Sequence, residues 1–254
     1  MADQVKYTQK LKGEKVLIIG GSAGECLAEA ALEFGATVVI SSSRTEKVKE
    51  KVAELQRLYP SARDRISGHA CNLADEANLE SNIRELLEKT GTVDHIVHTA
   101  GDSLSVKPMA EIDMDFVKKA GQVRFFSILM LAKHAPKYLN PGPKSSITLT
   151  SGLVASRPVP GWTVIGAYAA GAEGMTRGLA LELKPIRVNI VAPGPINTAI
   201  FDSVSDEDRK AYADRMPTGQ IGEVADIVES YLSCIKDHNL SGTIIHSDGG
   251  ANIA

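Results

Sequence analysis

Cysteine is scarce in this 254-residue chain: Cys26, Cys71 and Cys234 are an odd number set far apart. They form neither a disulfide framework nor a Cys-x-x-Cys zinc knuckle, so a reducing compartment and no bound metal are expected. Aromatic residues supply 5% of the sequence, with one tryptophan, and no basic run carries interleaved aromatics. An excess of either charge is also lacking, since 28 Lys and Arg stand against 31 Asp and Glu for a net charge of -3. That balance argues against a surface built to neutralise a phosphate backbone, and nucleic acid is not an expected partner. No segment reaches the ~18 apolar residues needed to cross a bilayer, and the polar stretch Met1 to Lys12 lacks a signal peptide's apolar core. The expectation is a soluble cytoplasmic protein with no membrane partner.

What the chain does have is 43% hydrophobic residues, enough for one α/β domain to bury a full core without cross-links. Short β-branched runs at Lys15 to Ile19, Thr37 to Ser41, His95 to Thr99, Ser146 to Thr150, Arg187 to Val191 and Thr243 to His246 read as buried strands, with a weaker one at Arg65 to His69. Between them, Gly24 to Phe34, Glu46 to Leu58, Glu76 to Lys89, Asp115 to Lys137 and Val164 to Leu183 carry helical spacing. Strands alternating with helices predict an α/β, doubly wound domain of about seven parallel strands with helices on both faces. Without a linker or repeat, residues 1–254 read as one domain. The segment Asn197 to Gly219 is acidic and polar at Asp202 to Asp208, and its position before the last helix suits a substrate lid.

The first strand runs into Ile19-Gly20-Gly21-Ser22-Ala23-Gly24-Glu25-Cys26, and a helix follows at once. A glycine-rich turn there offers backbone N–H groups and a favourable dipole to a diphosphate. Glycines at a tight strand-to-helix turn can also be merely structural. Further along come His98-Thr99-Ala100-Gly101 after the fourth strand, Pro193-Gly194-Pro195-Ile196-Asn197-Thr198 after the sixth, and Asp248-Gly249-Gly250 near the end. In order and spacing these resemble the short-chain dehydrogenases/reductases, whose cofactor loop reads Thr-Gly-x-x-x-Gly-x-Gly, over nearly the whole chain.

The resemblance implies a Rossmann-type fold and a nicotinamide cofactor. Gly20, Ser22 and Gly24 would flank its phosphates, Ile196 and Thr198 would lie beside the nicotinamide and diphosphate, and Asn72 and Gly101 would complete the binding set. At Ser41-Ser42-Ser43-Arg44 no acidic residue is present to accept a ribose 2′-hydroxyl, whereas Ser42, Ser43 and Arg44 suit a 2′-phosphate. NADP(H) is therefore expected over NAD, the alternative for this segment being a solvated loop and helix cap. Two residues depart from the family loop. Cys26 replaces its third glycine, and Glu25 replaces the usual apolar residue before it, so both are expected to weaken or abolish cofactor binding. Like charges ~4 Å apart cost on the order of 1 kcal/mol in water and ~4 kcal/mol at an effective dielectric of 20. The alternative is that Glu25 turns outward and Cys26 is a small packing residue.

Ordinary members of the family use Asn, Ser, Tyr and Lys, with Tyr as proton donor. The segment Glu173 to Leu183 matches the helix that follows the Tyr-x-x-x-Lys motif. Counting back places Ile165 at the tyrosine position, Ala169 at the lysine and Gly152 at the serine, and alignment of the preceding long helix places Arg124 at the asparagine. All four are replaced. Tyr168 lies almost one helical turn past the tyrosine position and is expected to pack. Ser151 is expected to bond to nearby backbone, and His98 to be a satisfied strand-end histidine rather than a metal ligand.

What remains near the expected nicotinamide face is Asp102 after the Ala100-Gly101 landmark, Arg124 from the long helix, and Trp162 before the old tyrosine helix. The bland alternatives are a structural ion pair for the first two and core packing or a subunit contact for Trp162. The pattern is similar to a tetrad-lacking branch of the family in fungal natural-product pathways, the NADPH-dependent reductases/Diels-Alderases of indole alkaloid biosynthesis. That implies a small-molecule natural-product intermediate as substrate, hydride delivery to an iminium-type or otherwise activated double bond, and cyclisation in the same pocket. It also implies a homodimer or homotetramer. A cofactor-independent cyclase or isomerase on the same scaffold is the second reading, because ring closure needs mainly proximity and a few dipoles. A binding pseudoenzyme is the third.

Overall fold

The β-branched runs become strands: β1 (Lys15–Ile19), β2 (Thr37–Ser42), β3 (Ile66–Ala70), β4 (His95–His98), β5 (Ser146–Thr150), β6 (Arg187–Pro193) and β7 (Ile244–Ser247). The computed structural model describes residues 7–104, 106–198 and 205–254, so parts of Met1 to Lys12 and of 197–219 lie outside the described residues. All seven strands pair in parallel, in the order β3-β2-β1-β4-β5-β6-β7. β1 lies in the interior of the sheet, with Leu17 in register with Val39 on one side and Ile96 on the other.

The helices are α1 (Ser22–Glu33), α2 (Thr45–Leu58), α3 (Leu79–Thr90), α4 (Met114–Gly121), α5 (Ser127–His134), α6 (Thr163–Glu182), α7 (Asp206–Arg215) and α8 (Val224–Lys236). Alternation along β1 sends Val16 and Ile18 to one face and Leu17 and Ile19 to the other. The first pair joins Leu27 of α1, Leu55 of α2 and Tyr231 of α8 in one apolar cluster. The second joins Ile83 of α3, Leu131 of α5 and Ala172 of α6 in another. Burial on both faces is why these strands read as continuous apolar runs.

Two segments differ from the sequence expectation. The single helix expected over Asp115 to Lys137 is α4, a π-helical turn at Gln122–Phe126, α5 and a 3-10 turn at Ala135–Lys137. The π turn has a local cause: the Ser127 N–H bonds to the Gln122 carbonyl, and the Ser127 hydroxyl donates to the Val123 carbonyl at 2.6 Å, filling the acceptor that the wider register skips. The other difference is α7, within the expected lid. Ser205 caps it by accepting from the Asp208 N–H at 3.1 Å, three acidic residues occupy its first turn, and none of its residues is buried. Capping and dipole make a helix here without the apolar stripe that periodicity detects.

Between β1 and β4 the strand order reverses. The chain works outward from β1 to β3 and then returns across the sheet, so the loops after β1 and β4 diverge and leave a crevice at the carboxyl ends of the strands.

Candidate active site

The loop after β1 is pressed against the end of β4. Gly20 and Gly21 adopt φ of 80° and 75°, the left-handed region that favours glycine. A Cβ at Gly20 would stand 2.7 Å from the Ala100 Cα, and one at Gly21 would stand 2.6 Å from the Thr99 carbonyl oxygen. Thr99 fastens the two segments, donating its N–H to the Ile19 carbonyl at 3.0 Å and its hydroxyl to the Gly20 carbonyl. The chain then enters α1, whose first N–H groups have no acceptor within the helix and open on the crevice as an anion cradle. The side chain of Ser22 lies outside the described residues.

Gly24 makes the close approach of α1 to the sheet: its Cβ would lie 2.7 Å from Thr99 Oγ1 and 3.0 Å from Ile18 Cγ2. Cys26 packs against the α1, α2 and β1 cluster, and burial, with Glu29 and Glu25 adding, pushes its thiol pKa up. The Glu25 carboxylate is drawn to α2, where it meets Lys51 at 3.1 Å and Lys47 at 3.8 Å.

At the end of β2, Ser41 is 4% exposed and its hydroxyl has no partner among the described residues. Ser42 is half-buried beside it, while Ser43 and Arg44 are exposed and Arg44 is the cap residue of α2. Ser41 and Ser42 line a cavity of about 130 Å³ together with Gly20, Gly21, Lys47 and Lys51. After β3, Asn72 is exposed, and its Oδ1 accepts the Ala74 N–H at 3.1 Å. Ile196 is anchored by parallel bridging to Gly222, and Thr198 is half-buried next to the 199–204 stretch outside the described residues.

Asp102 and Arg124 are brought together. Arg124 rides on the π turn, its Nε donating to Asp102 Oδ1 at 3.2 Å and its Nη2 to the Asp102 carbonyl. The guanidinium lies flat on Gly101, where a Cβ would stand 2.7 Å from its Cζ. Asp102 Oδ2 has no partner among the described residues, and the two side chains are 32% and 27% exposed. Trp162 is half-buried at the cap of α6, on a loop tied to the segment after β4 by the Lys107 N–H and the Gly161 carbonyl at 3.2 Å. It makes no polar side-chain contact with the Asp102–Arg124 pair.

At the positions expected for the tetrad's serine, tyrosine and lysine, Gly152, Ile165 and Ala169 carry no hydroxyl or amine. A Cβ at Gly152 would meet nothing nearer than the Pro193 carbonyl at 3.9 Å, Ile165 is buried, and Ala169 adds only a methyl group. Tyr168 donates to the Val117 carbonyl at 3.0 Å and packs on Phe125, with ring centroids 5.2 Å apart. His98 is buried with Nε2 2.9 Å from the Ser127 hydroxyl. Because that hydroxyl donates to Val123, the histidine Nε2 carries the proton. Burial, with the Arg124 charge adding, lowers its pKa to about 4.

Ser151 departs from expectation. Its hydroxyl donates not to local backbone but to Glu173 Oε1 at 3.0 Å. Sequence reasoning missed Glu173, although it follows Ile165 and Ala169 at four-residue steps and so falls on their helix face.

Strand order, glycine cradle and switch-point crevice together define a Rossmann-type dinucleotide-binding protein. A family profile described as an SDR-like Rossmann domain matches residues 7–254, and the chain belongs to the short-chain dehydrogenase/reductase family. It is an enzyme of that class. It is 40% identical over 261 residues to the short-chain dehydrogenase/reductase fsr5 of Gibberella fujikuroi, covering 98% of each chain. Among solved structures it resembles the MalC reductase/Diels-Alderase from Malbranchea aurantiaca, with a TM-score of 0.91, 33% identity, and coverage of 98% of this chain and 100% of that one. It also resembles a small-chain dehydrogenase in complex with NADPH, with a TM-score of 0.75, 27% identity and coverage of 95% and 99%. Among the described residues no helix is long and apolar enough to cross a membrane.

Proposed function

We propose that this enzyme is an NADP(H)-dependent reductase of natural-product biosynthesis that acts on an iminium-type or otherwise activated double bond, with ring closure possible in the same pocket. The observation that carries this reading is the Asp102–Arg124 pair on Gly101 at the mouth of the switch-point crevice, beside tetrad positions that hold Gly152, Ile165 and Ala169.

The residues present fit the cofactor. Gly20 and Gly21 leave a cradle that a Cβ would fill, and Ser42, Lys47 and Lys51 line the cavity beside it. Gly20, Ser22, Gly24, Ile196 and Thr198 would hold the diphosphate side, Ser42, Ser43 and Arg44 the 2′-phosphate, and Asn72 and Gly101 the adenosine edge. When bound, NADP(H) supplies a hydride. Glu25 and Cys26 lower the affinity of the loop rather than abolish it, since Glu25 is neutralised by Lys51 and Lys47.

Without a tyrosine proton donor, the substrate carbon must already be electron-poor. The Asp102 carboxylate stabilises such a cation, and its Oδ2 is the acceptor left for a substrate N–H. Arg124 holds Asp102 by one hydrogen bond to its carboxylate and one to its backbone carbonyl, so the carboxylate needs little reorganisation as charge is discharged. Trp162 supplies an apolar wall for a fused-ring substrate. Within the expected lid, α7 rests on its cap with no buried residue and closes over the bound molecule. Leu129 on α5 and Leu181 on α6 expose apolar surface suited to a homodimer or homotetramer. The three free thiols suit the cytoplasm.

A second reading, a cofactor-independent cyclase, is favoured by the absence of a proton donor at Gly152, Ile165 and Ala169. Titration with NADPH, followed by calorimetry, separates the two. Micromolar binding is expected, and no binding at millimolar concentration would overturn the reductase.

A further inference from the structure

The cavity between α1 and α2 holds an arrangement that hydride transfer does not require. Glu25 on α1 sits between two lysines of α2, and Ser42 at the end of β2 lines the same space. The two lysines are not equivalent. Lys51 is held at 3.1 Å by Glu25 and at 2.9 Å by Glu54, whereas Lys47 has the single, looser contact to Glu25 at 3.8 Å.

We infer that Glu25 and Lys47 form an exchangeable ion pair, in which the 2′-phosphate of NADP(H) displaces the Glu25 carboxylate from Lys47 and the pair thereby sets the preference for the phosphorylated dinucleotide. The inference rests on the NADP(H) reading above. Lys47 and Glu25 side chains are 43% and 36% exposed, and an ion pair that open contributes little, so a phosphate dianion can replace one partner. Lys51 keeps Glu25 in place on its other side, so the carboxylate remains near the phosphate after exchange and acts as a brake on affinity. An unphosphorylated dinucleotide leaves the pair closed and feels none of this. Glu25, which as a sequence feature argued against any cofactor, becomes a residue that tunes which cofactor binds and how tightly.

The test measures dissociation constants by calorimetry for NADPH and NADH, and for adenosine 2′,5′-bisphosphate and adenosine 5′-monophosphate as probes without the nicotinamide half. Glu25→Gln is expected to tighten NADPH and the bisphosphate about fivefold, and Lys47→Ala to weaken both about fivefold, with NADH and the monophosphate moving less than about twofold. Equal changes for the two dinucleotides, or no change in either variant, would overturn the exchange while leaving cofactor binding intact. No binding of any of the four ligands to the wild type or to either variant at millimolar concentration would overturn the NADP(H) reading itself.

Discussion

At the amino-terminal edge of the sheet Glu14, His95 and Ser146 form one hydrogen-bonded chain, and at the carboxyl-terminal edge Asp102 and Arg124 form another. The first has the residue types of a nucleophilic triad. Ser146 Oγ lies 2.8 Å from His95 Nδ1, and Glu14 Oε2 lies 2.9 Å from His95 Nε2. Yet His95 and Ser146 are each 0% exposed, so no substrate reaches the hydroxyl. Nearby, Arg187 is 3% exposed and donates to the carbonyls of Pro143, Cys234, Leu240 and Ile235, two of them at the end of α8. At the opposite edge an arginine and a carboxylate are half-open, and one carboxylate oxygen is free of protein partners among the described residues. The difference teaches that unfilled hydrogen-bonding capacity and access mark a site, whereas the same residue types with every bond filled mark a joint.

The harshest test of that contrast is Arg187→Met. It strips the guanidinium from four carbonyls, two of them in buried hydrogen bonds, and a loss of about 3–5 kcal/mol is expected in chemical denaturation, with NADPH affinity of the folded fraction unchanged. A cost below about 1 kcal/mol would remove the amino-terminal edge as a structural joint.

Next in size is the pH response of His98, which lies between the two edges at the end of β4 and is held neutral. Its pKa is about 4 in the folded protein against ~6.5 in the unfolded chain. The unfolded state therefore binds the extra proton first as pH falls. Stability from this group is complete above pH ~6.5 and declines toward pH ~4, by up to ~3 kcal/mol in all. Melting curves across that window should show the decline, and His98→Gln, which keeps a donor and does not titrate, should flatten it. An unchanged slope would mean that other groups carry the acid response.

At the carboxyl-terminal edge the balance reverses. Asp102→Asn should alter stability by less than about 1 kcal/mol, because the pair is half-exposed, yet lower turnover of a cyclic iminium probe by about tenfold or more. Gly101→Ala should have a similar effect by pushing the guanidinium aside, since its Cβ would stand 2.7 Å from Arg124 Cζ. Unchanged turnover in both variants would remove this pair from the site.

The two edges were not equally legible in the sequence. The strands show themselves because burial on both faces writes an apolar run into each, and even the weaker run at Arg65 to His69 is β3 at Ile66–Ala70. The glycine loop is legible because Gly20 and Gly21 need a backbone conformation that other residues avoid. Asp102 and Arg124 could be named as neighbours because each follows from a landmark on its own segment. Contacts between distant segments leave no such trace. Glu25 reads as a repulsive charge until α2 places Lys47 and Lys51 beside it, and Ser151 finds Glu173 only when α6 packs on the sheet. The polar helix α7 was missed for the complementary reason, having no buried face to write a period into the chain.

The smallest effect expected is the most specific about chemistry. Gly152, which the proposed reading puts at the family's serine position, has an extended backbone, and a Cβ there would find only the Pro193 carbonyl at 3.9 Å. A side chain is therefore accommodated, and Gly152→Ser should change stability by no more than about 0.5 kcal/mol. It should not create carbonyl reduction. A serine can accept or donate at the substrate oxygen, but on the proposed reading Ile165 and Ala169 take the places of the tyrosine and lysine, and neither delivers a proton to the alkoxide that hydride addition leaves. NADPH consumption with simple ketones should stay at background, whereas an iminium substrate, which needs no proton at that step, should be reduced at its original rate. Ketone turnover appearing in Gly152→Ser would show that a proton donor exists elsewhere in the crevice, and the contrast between an edge with filled bonds and an edge awaiting a cationic substrate would have to be redrawn around it.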